Sequence, residues 1–292
     1  MQLKRVFGWI ALVIPLITIL AVVVGYWLSD NECGKAAAPG VPMKAVTYCD
    51  YGTADELRLE DVEKPVPGDD ELLVRVHAAG VNPLDWHYMR GTPYLMRLSS
   101  GLRKPKDTRL GVDFAGTVEA VGRNVTRFRP GDQVFGGRSG ALAQYVVAKQ
   151  DRAVALKPAN VSFEQAGAVA IAATTALQGL RDAGRLQTGD KVLINGASGG
   201  VGTFAVQIAK SMGAEVTAVC STRNIELVRA LGADHVVDYT RDDYTGVVRS
   251  AKTLSGGIAF LMKKNKIEVI EGDAKLEKAA PAPKVVVALK AG

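Results

Sequence analysis

The sequence predicts an α/β protein. A β-rich first domain precedes part of a parallel sheet wound with helices, and one apolar run long enough to cross a bilayer stands in front of both. Three observations carry this. Short β-type runs separated by Gly/Pro turns fill residues 43–158. After Ser162 the pattern switches to alternating strands and helices. Residues 6–28 hold no charged side chain. The expected divisions are an anchor and linker over 1–42, a β-rich domain over 43–158, a strand-helix half-domain over 159–245, and an unrelated tail over 246–292.

The N-terminal run of 23 residues, taken as a helix, is about 35 Å long, enough for the hydrocarbon core. Trp9, Tyr26 and Trp27 lie near its ends, where interfacial aromatics belong. An uncleaved single-pass anchor is expected; a cleaved signal peptide, with Ala36-Ala37-Ala38 as its small-residue site, is the alternative. Lys4 and Arg5 precede the run while Asp30 and Glu32 follow it, which places the body outside the cytoplasm. The chemistry that the later motifs imply argues for the cytoplasm, so the side of the membrane stays open.

In the first domain, strands are expected at 43–48, 71–76, 115–121 and 143–147. Turn signals at 67–69, 130–132 and 136–137 separate them, and together they suggest a partly open β-barrel. Residues 162–181 are Ala-rich and read as a helix capped by Ser162. Strand 191–195, helix 201–212, strand 215–220, helix 223–231 and strand 235–239 then follow, an order that requires parallel pairing.

Composition narrows the function. The 292 residues are 48% hydrophobic and 23% charged, which is globular, with room for two modest domains. The net charge of +6 is spread thinly. Its clusters at 4–5, 103–106 and 263–266 lack interleaved aromatics, so they read as solvated faces and no nucleic-acid partner is expected. Cys33, Cys49 and Cys220 are far apart in the chain, with no CxxC. No disulfide and no thiolate zinc site is expected, and Cys49 and Cys220 read as buried apolar thiols. His77, His87 and His235 are equally scattered, so no metal is expected.

The chemistry concentrates at Gly196-Ala197-Ser198-Gly199-Gly200-Val201-Gly202. This turn follows a buried strand and opens a helix, the context of a dinucleotide-binding (Rossmann) motif. Glycines let a pyrophosphate approach the main chain, and the free amides of the helix start face it. The end of the next strand distinguishes the two nicotinamide cofactors. It reads Cys220-Ser221-Thr222-Arg223-Asn224, without the acid that would bind a ribose 2′-hydroxyl. Ser221 and Thr222 can donate to a 2′-phosphate and Arg223 can pair with it, so NADP(H) is the expected cofactor.

The stretch 189–202, followed by Gln207 and Lys210, resembles the quinone oxidoreductase (zeta-crystallin-like) signature of the medium-chain dehydrogenase/reductase superfamily. Ala78-Ala79-Gly80-Val81-Asn82-Pro83-Leu84-Asp85, Gly111-Val112-Asp113-Phe114-Ala115-Gly116 and Gly131-Asp132-Gln133-Val134-Phe135 look like its GroES-like catalytic domain. The resemblance covers about 43–245. It implies a zinc-free enzyme, because Asn82 and Val112 stand where zinc-dependent relatives place Cys and His. It also implies hydride transfer between NADP(H) and a quinone or α,β-unsaturated carbonyl. Asn82 matches the substrate-side asparagine, and His87 and Tyr94, on the same loop, are candidates for donating a proton or hydrogen bond. Thr175 matches a position near the nicotinamide, and Tyr239 a neighbour of the 2′-phosphate. Asp85 and Asp113 read as structural.

Beyond 245 the resemblance stops. Residues 255–272 resemble instead an interior segment of dihydrolipoamide dehydrogenase, without its redox-active cysteines or flavin-binding glycines. A strand at 266–272 or 284–289 is a candidate to cover the open edge of the half sheet. Three readings follow: a membrane-anchored, zinc-independent NADPH oxidoreductase of a small molecule; an inactive truncated or chimeric chain that keeps nucleotide binding; and a membrane-tethered binding module. Oligomeric state is left open, because the dimer-forming strand that the resemblance implies is missing.

Overall fold

The computed structural model describes residues 23–24, 33 and 40–242. The chain divides into two units, residues 1–170 and 171–292, and each is taken by itself.

In the first unit β1 (Pro42–Thr47) and β2 (Arg58–Glu63) form an antiparallel ribbon. Five further strands make an antiparallel sheet: β3 (Glu71–Gly80), β4 (Asp113–Val121), β5 (Gln133–Gly137), β6 (Tyr145–Lys149) and β7 (Val154–Leu156). Their order is β6-β3-β4-β5-β7. Along β1 the residues Met43, Ala45 and Thr47 point inward and their neighbours outward, the period-two pattern of a half-buried strand. Bridges at Ala45–Ala143 and Thr47–Arg109 tie the ribbon to the larger sheet, giving the partly open barrel that the turn spacing suggests. Leu72, Val74, Phe114, Val118 and Val134 fill its core. The two irregularities in the β3–β4 register bend the long strand so the sheet can curl. β2 is the strand the sequence conceals: it is acidic and mostly exposed, as a sheet edge protected by charge should be.

Two expectations need correction here. Residues 82–94 do not form one loop: α1 (Pro83–Arg90) holds His87, while Tyr94 opens a separate 3-10 turn (Tyr94–Met96) leading into α2 (Arg97–Ser100). Nor is 162–181 one helix. Ser162 does cap α3 (Phe163–Ala166) with a capping box to Gln165, but the helix breaks at Gly167, whose backbone lies against that of Ala78. The chain resumes as α4 (Ala170–Leu177) and a wider π-type turn (Gln178–Ala183).

The second unit follows the predicted strand-helix alternation to within about two residues at each boundary. β8 (Lys191–Asn195), β9 (Glu215–Cys220) and β10 (His235–Asp238) are parallel, in the order β10-β9-β8. α5 (Gly200–Ser211) connects the first pair and α6 (Ile225–Ala230) the second. Val206, Ala205 and Ala209 of α5 pack on Ile194, Val216 and Ala218, and small residues on the helix keep it close to the sheet. Val192, Leu193 and Ile194 of β8 are all buried, yet β8 is an edge strand among the described residues.

The apolar run 6–28 lies outside the described residues apart from Val23 and Val24. Among the described residues no helix is long and apolar enough to cross a membrane. The tail 246–292, with both of its candidate strands, also falls outside them.

The expected absence of a disulfide is overturned: Cys33 and Cys49 are bonded, with Cα atoms 5.6 Å apart. Sixteen positions of sequence separation do not fix the distance between the two thiols in space. Cys49 is therefore no free thiol, whereas Cys220 is buried as expected, and burial raises its pKa. A loop of this length implies roughly 3 kcal/mol of stabilisation through the unfolded chain. Non-reducing peptide mapping should recover a Cys33–Cys49 cross-linked fragment, and Cys33→Ser should lower the melting temperature of the first unit. A fully alkylatable Cys49 in non-reduced protein would show that the bond does not form.

Candidate nucleotide and substrate sites

In the second unit the glycine turn sits where the sequence places it, between the end of β8 and the start of α5. A side chain at Gly202 would bring its Cβ to 2.2 Å from the Gly196 carbonyl, so the fold itself demands glycine there. Gly200 is different. A Cβ on it meets nothing within 4 Å, and no intrachain packing explains the glycine. Open space above a helix start is what an approaching phosphate needs. Gly199 is the N-cap of α5 and has no side chain to cap it, so the first amides of the helix keep their donors unmatched. Ala197 is fully buried beneath the turn, and Val201 packs partly against the core, so these two shape the loop from below.

The end of β9 lies beside this turn, through Asn224. Its amide donates to Ser198 Oγ at 3.0 Å and to Ser221 Oγ at 3.2 Å, binding the two loops together. Ser221 thus accepts a bond and keeps its own proton to donate. Thr222 does not. Its hydroxyl donates to Asp238 Oδ2 at 2.5 Å and lies 2.7 Å from Thr240 Oγ1. Asp238 is the acid that the sequence reading missed. It ends β10, sixteen positions from Thr222, and only parallel pairing with Cys220 brings it there. Burial alone pushes its pKa up, but the Thr222 and Thr240 bonds outweigh that and hold it below the usual carboxylate range. Arg223 is exposed and Tyr239 half-exposed at the same sheet end. Thr175, on α4, turns its hydroxyl back on the helix, donating to Ile171 O at 2.7 Å.

In the first unit Asn82 caps α1, with Pro83 at the first helical position and Asp85 closing a capping box by accepting the Asn82 backbone N–H at 2.7 Å. The Asn82 side-chain nitrogen donates to the buried Asp113 carboxylate at 3.1 Å. Both acids read as structural in the sequence, and both anchor Asn82. Desolvation raises the Asp85 pKa, the Asp113 charge adds to the rise, and the amides of Asn82 and Gly111 oppose it. His87 Nδ1 lies 2.7 Å from Thr92 O. A carbonyl only accepts, so Nδ1 carries the proton and Nε2 is left as the working nitrogen. Tyr94 is exposed and stacks on the Arg97 guanidinium at 4.9 Å. Asn82, His87 and Tyr94 share one segment, but Asn82 bonds to Asp113, His87 to Thr92, and Tyr94 meets Arg97 through its ring.

The two glycines make an internal contrast that can be measured. Gly202→Ala should destabilise the unit by about 1–3 kcal/mol through overpacking against the turn. Gly200→Ala should leave the melting temperature unchanged or slightly higher while weakening NADPH binding several-fold. If Gly200→Ala binds as well as the parent chain, the phosphate is not at this helix start.

Two family models, curated relatives and solved structures match the chain. Residues 68–159 match the alcohol dehydrogenase GroES-like domain, and residues 200–262 the zinc-binding dehydrogenase family, a match that runs past Thr245. The chain is 41% identical over 207 residues to a spinach chloroplastic quinone-oxidoreductase homolog, covering 68% of this chain and 61% of that one. It is 36% identical over 226 residues to the chloroplastic NADPH-dependent alkenal/one oxidoreductase of Arabidopsis thaliana, covering 73% of this chain and 56% of the relative. The structure of the quinone oxidoreductase from Coxiella burnetii superposes with a TM-score of 0.64 at 34% identity, covering 71% of this chain and 65% of that one. The chain therefore spans about three-fifths of the length of the curated relatives it matches. Zinc, which one family name carries, does not fit here. Asn82 and Val112 stand where the resemblance places two zinc ligands, and neither an amide nor an isopropyl group serves as one. With its two domain matches, its relatives and its fold neighbours in accord, the chain belongs to the zinc-free quinone oxidoreductase branch of the medium-chain dehydrogenase/reductase superfamily.

Proposed function

We propose that this chain is an NADPH-dependent oxidoreductase acting on a quinone or α,β-unsaturated carbonyl, without a metal. The observation that carries it is the uncapped start of α5 behind an open glycine, with Ser221 and Arg223 at the neighbouring strand end. The relatives named as quinone-oxidoreductase homolog and NADPH-dependent alkenal/one oxidoreductase support the substrate class.

In this reading the amides of residues 200–202 hold the pyrophosphate, with the helix dipole favouring its charge. Arg223 pairs with the 2′-phosphate and Ser221 donates to it, while Thr222, committed to Asp238, shapes the corner without donating. Tyr239 packs beside that phosphate. NADPH, when bound, supplies the hydride. Thr175 retains oxygen lone pairs that can accept a hydrogen bond from an amide donor. On the substrate side, His87 Nε2 is the atom that holds a proton in the charged ring and passes it to a developing oxyanion, and the Tyr94 hydroxyl is an alternative donor. Asn82 positions the substrate from a side chain that Asp113 keeps in one orientation. Residues 6–28 are taken as a membrane anchor on the strength of their sequence.

A second reading is that the chain binds nucleotide without turning over substrate. Titrating the purified full chain with NADPH and NADH, then assaying quinone and enone reduction, separates the two. Tight NADPH binding without turnover selects the second, and no nucleotide binding rejects both. Arg223→Ala should weaken NADPH by about 10–100-fold, the value of a charge-assisted hydrogen bond, and leave NADH nearly unchanged. Equal losses for the two cofactors would remove the NADP assignment.

A further inference from the structure

The cations at 103–106, which read as a solvated face in the sequence, follow a segment whose apolar side chains are uncovered. Tyr94, Leu95 and Leu98 are 73, 75 and 64% exposed, and Trp86 is 43% exposed. Guanidiniums lie on the rings of this face. Arg90 is 4.7 Å from the Trp86 centroid, and Arg97 sits 4.3 Å from Tyr51 and 4.9 Å from Tyr94. Between residues 81 and 109 there are six Lys and Arg but two Asp, and one of those, Asp85, is buried. This segment therefore carries four of the chain's net six positive charges, in a stretch that also holds aromatic rings and leucines. That combination suits the boundary between lipid headgroups and acyl chains.

A second observation points to the same occupant. The disulfide reaches this face. Cys49 is two residues from Tyr51, and Asp50 pairs with Lys104 at 3.9 Å. Its other half, Cys33, comes five residues after Leu28, where the uncharged run ends. Five residues span at most about 18 Å. Whatever holds the run therefore holds the 49–51 corner, and the face beside it, within that reach.

We propose that this face rests on an anionic lipid surface, drawn down by the Cys33–Cys49 tether. Trp86, Leu95 and Leu98 enter the headgroup boundary, and Arg90, Arg97 and Lys106 meet lipid phosphates. The proposal rests on residues 6–28 lying in a membrane. It does not depend on the oxidoreductase reading and survives if no turnover is found.

The test uses the full chain in nanodiscs of phosphatidylcholine alone or mixed with phosphatidylglycerol, with hydrogen exchange followed in peptides covering 84–106. Exchange should slow in the phosphatidylglycerol discs and recover at high salt. Arg90→Glu and Lys106→Glu, at exposed positions, should each lower the docked population by about fivefold or more, as expected for loss of one surface cation. Leu95→Ser should weaken docking without changing the salt dependence, and Cys33→Ser should weaken it while the charge variants keep their effect. Equal exchange in both discs, or protection that survives both charge reversals, overturns the proposal. Protection that grows with protein concentration in detergent assigns the face to a second copy of the chain and also overturns it. Unchanged protection in Cys33→Ser refutes the tether.

Discussion

The second unit depends on one close approach of backbone to backbone, where the first turn of α5 passes over the Gly196 carbonyl with no room for a Cβ at Gly202. That crossing makes the helix begin directly above the end of β8. The N-cap itself is Gly199, which brings no capping side chain, so the first amides of the helix lack the partner that a Ser or Asp would give them. The neighbouring loops are then fastened around this point rather than by it. Asn224 joins the turn to the end of β9, and Asp238 joins the end of β9 to that of β10. Local stability given up at the helix start is recovered in a ring of hydroxyl, amide and carboxylate contacts around it.

Much of this was legible in the sequence because its signals are local. β8, β9 and the turn between them are written in consecutive residues: a buried run, glycines, then a helix with apolar residues at helical spacing. The cap of α3 was equally plain in Ser162 and Gln165. α1 escaped notice although Asn82, Pro83 and Asp85 spell a helix start, because the same residues are good turn formers and the helix is short and only weakly amphipathic. β2 escaped because an edge strand can be polar throughout. What no local signal contains is pairing at a distance. The Cys33–Cys49 bond, the Asp113 support of Asn82 and the hydrogen bond that Thr222 donates to Asp238 all arise only after the sheets have formed.

Counting protons sharpens the candidate sites more than proximity does. Ser221 and Thr222 are adjacent hydroxyls and look interchangeable in the sequence, but one accepts its local bond and the other donates it. Likewise His87 has one nitrogen fixed by Thr92 and one left for chemistry. In the first unit two carboxylates, Asp85 and Asp113, lie close enough that the charge of one raises the pKa of the other, yet both are kept to hold a single asparagine. Burying acids beside one another costs stability, and such an arrangement is retained where a side chain must not move.

The position of β8 carries one more consequence. Its three consecutive buried aliphatic residues belong to the middle of a sheet, whereas among the described residues one flank of its backbone ladder has no neighbour. Any extended segment that settles there finds the adjoining hydrophobic layer already built and contributes chiefly main-chain hydrogen bonds. Recognition of that kind reads shape and register before side-chain identity, so dissimilar segments can complete the same sheet.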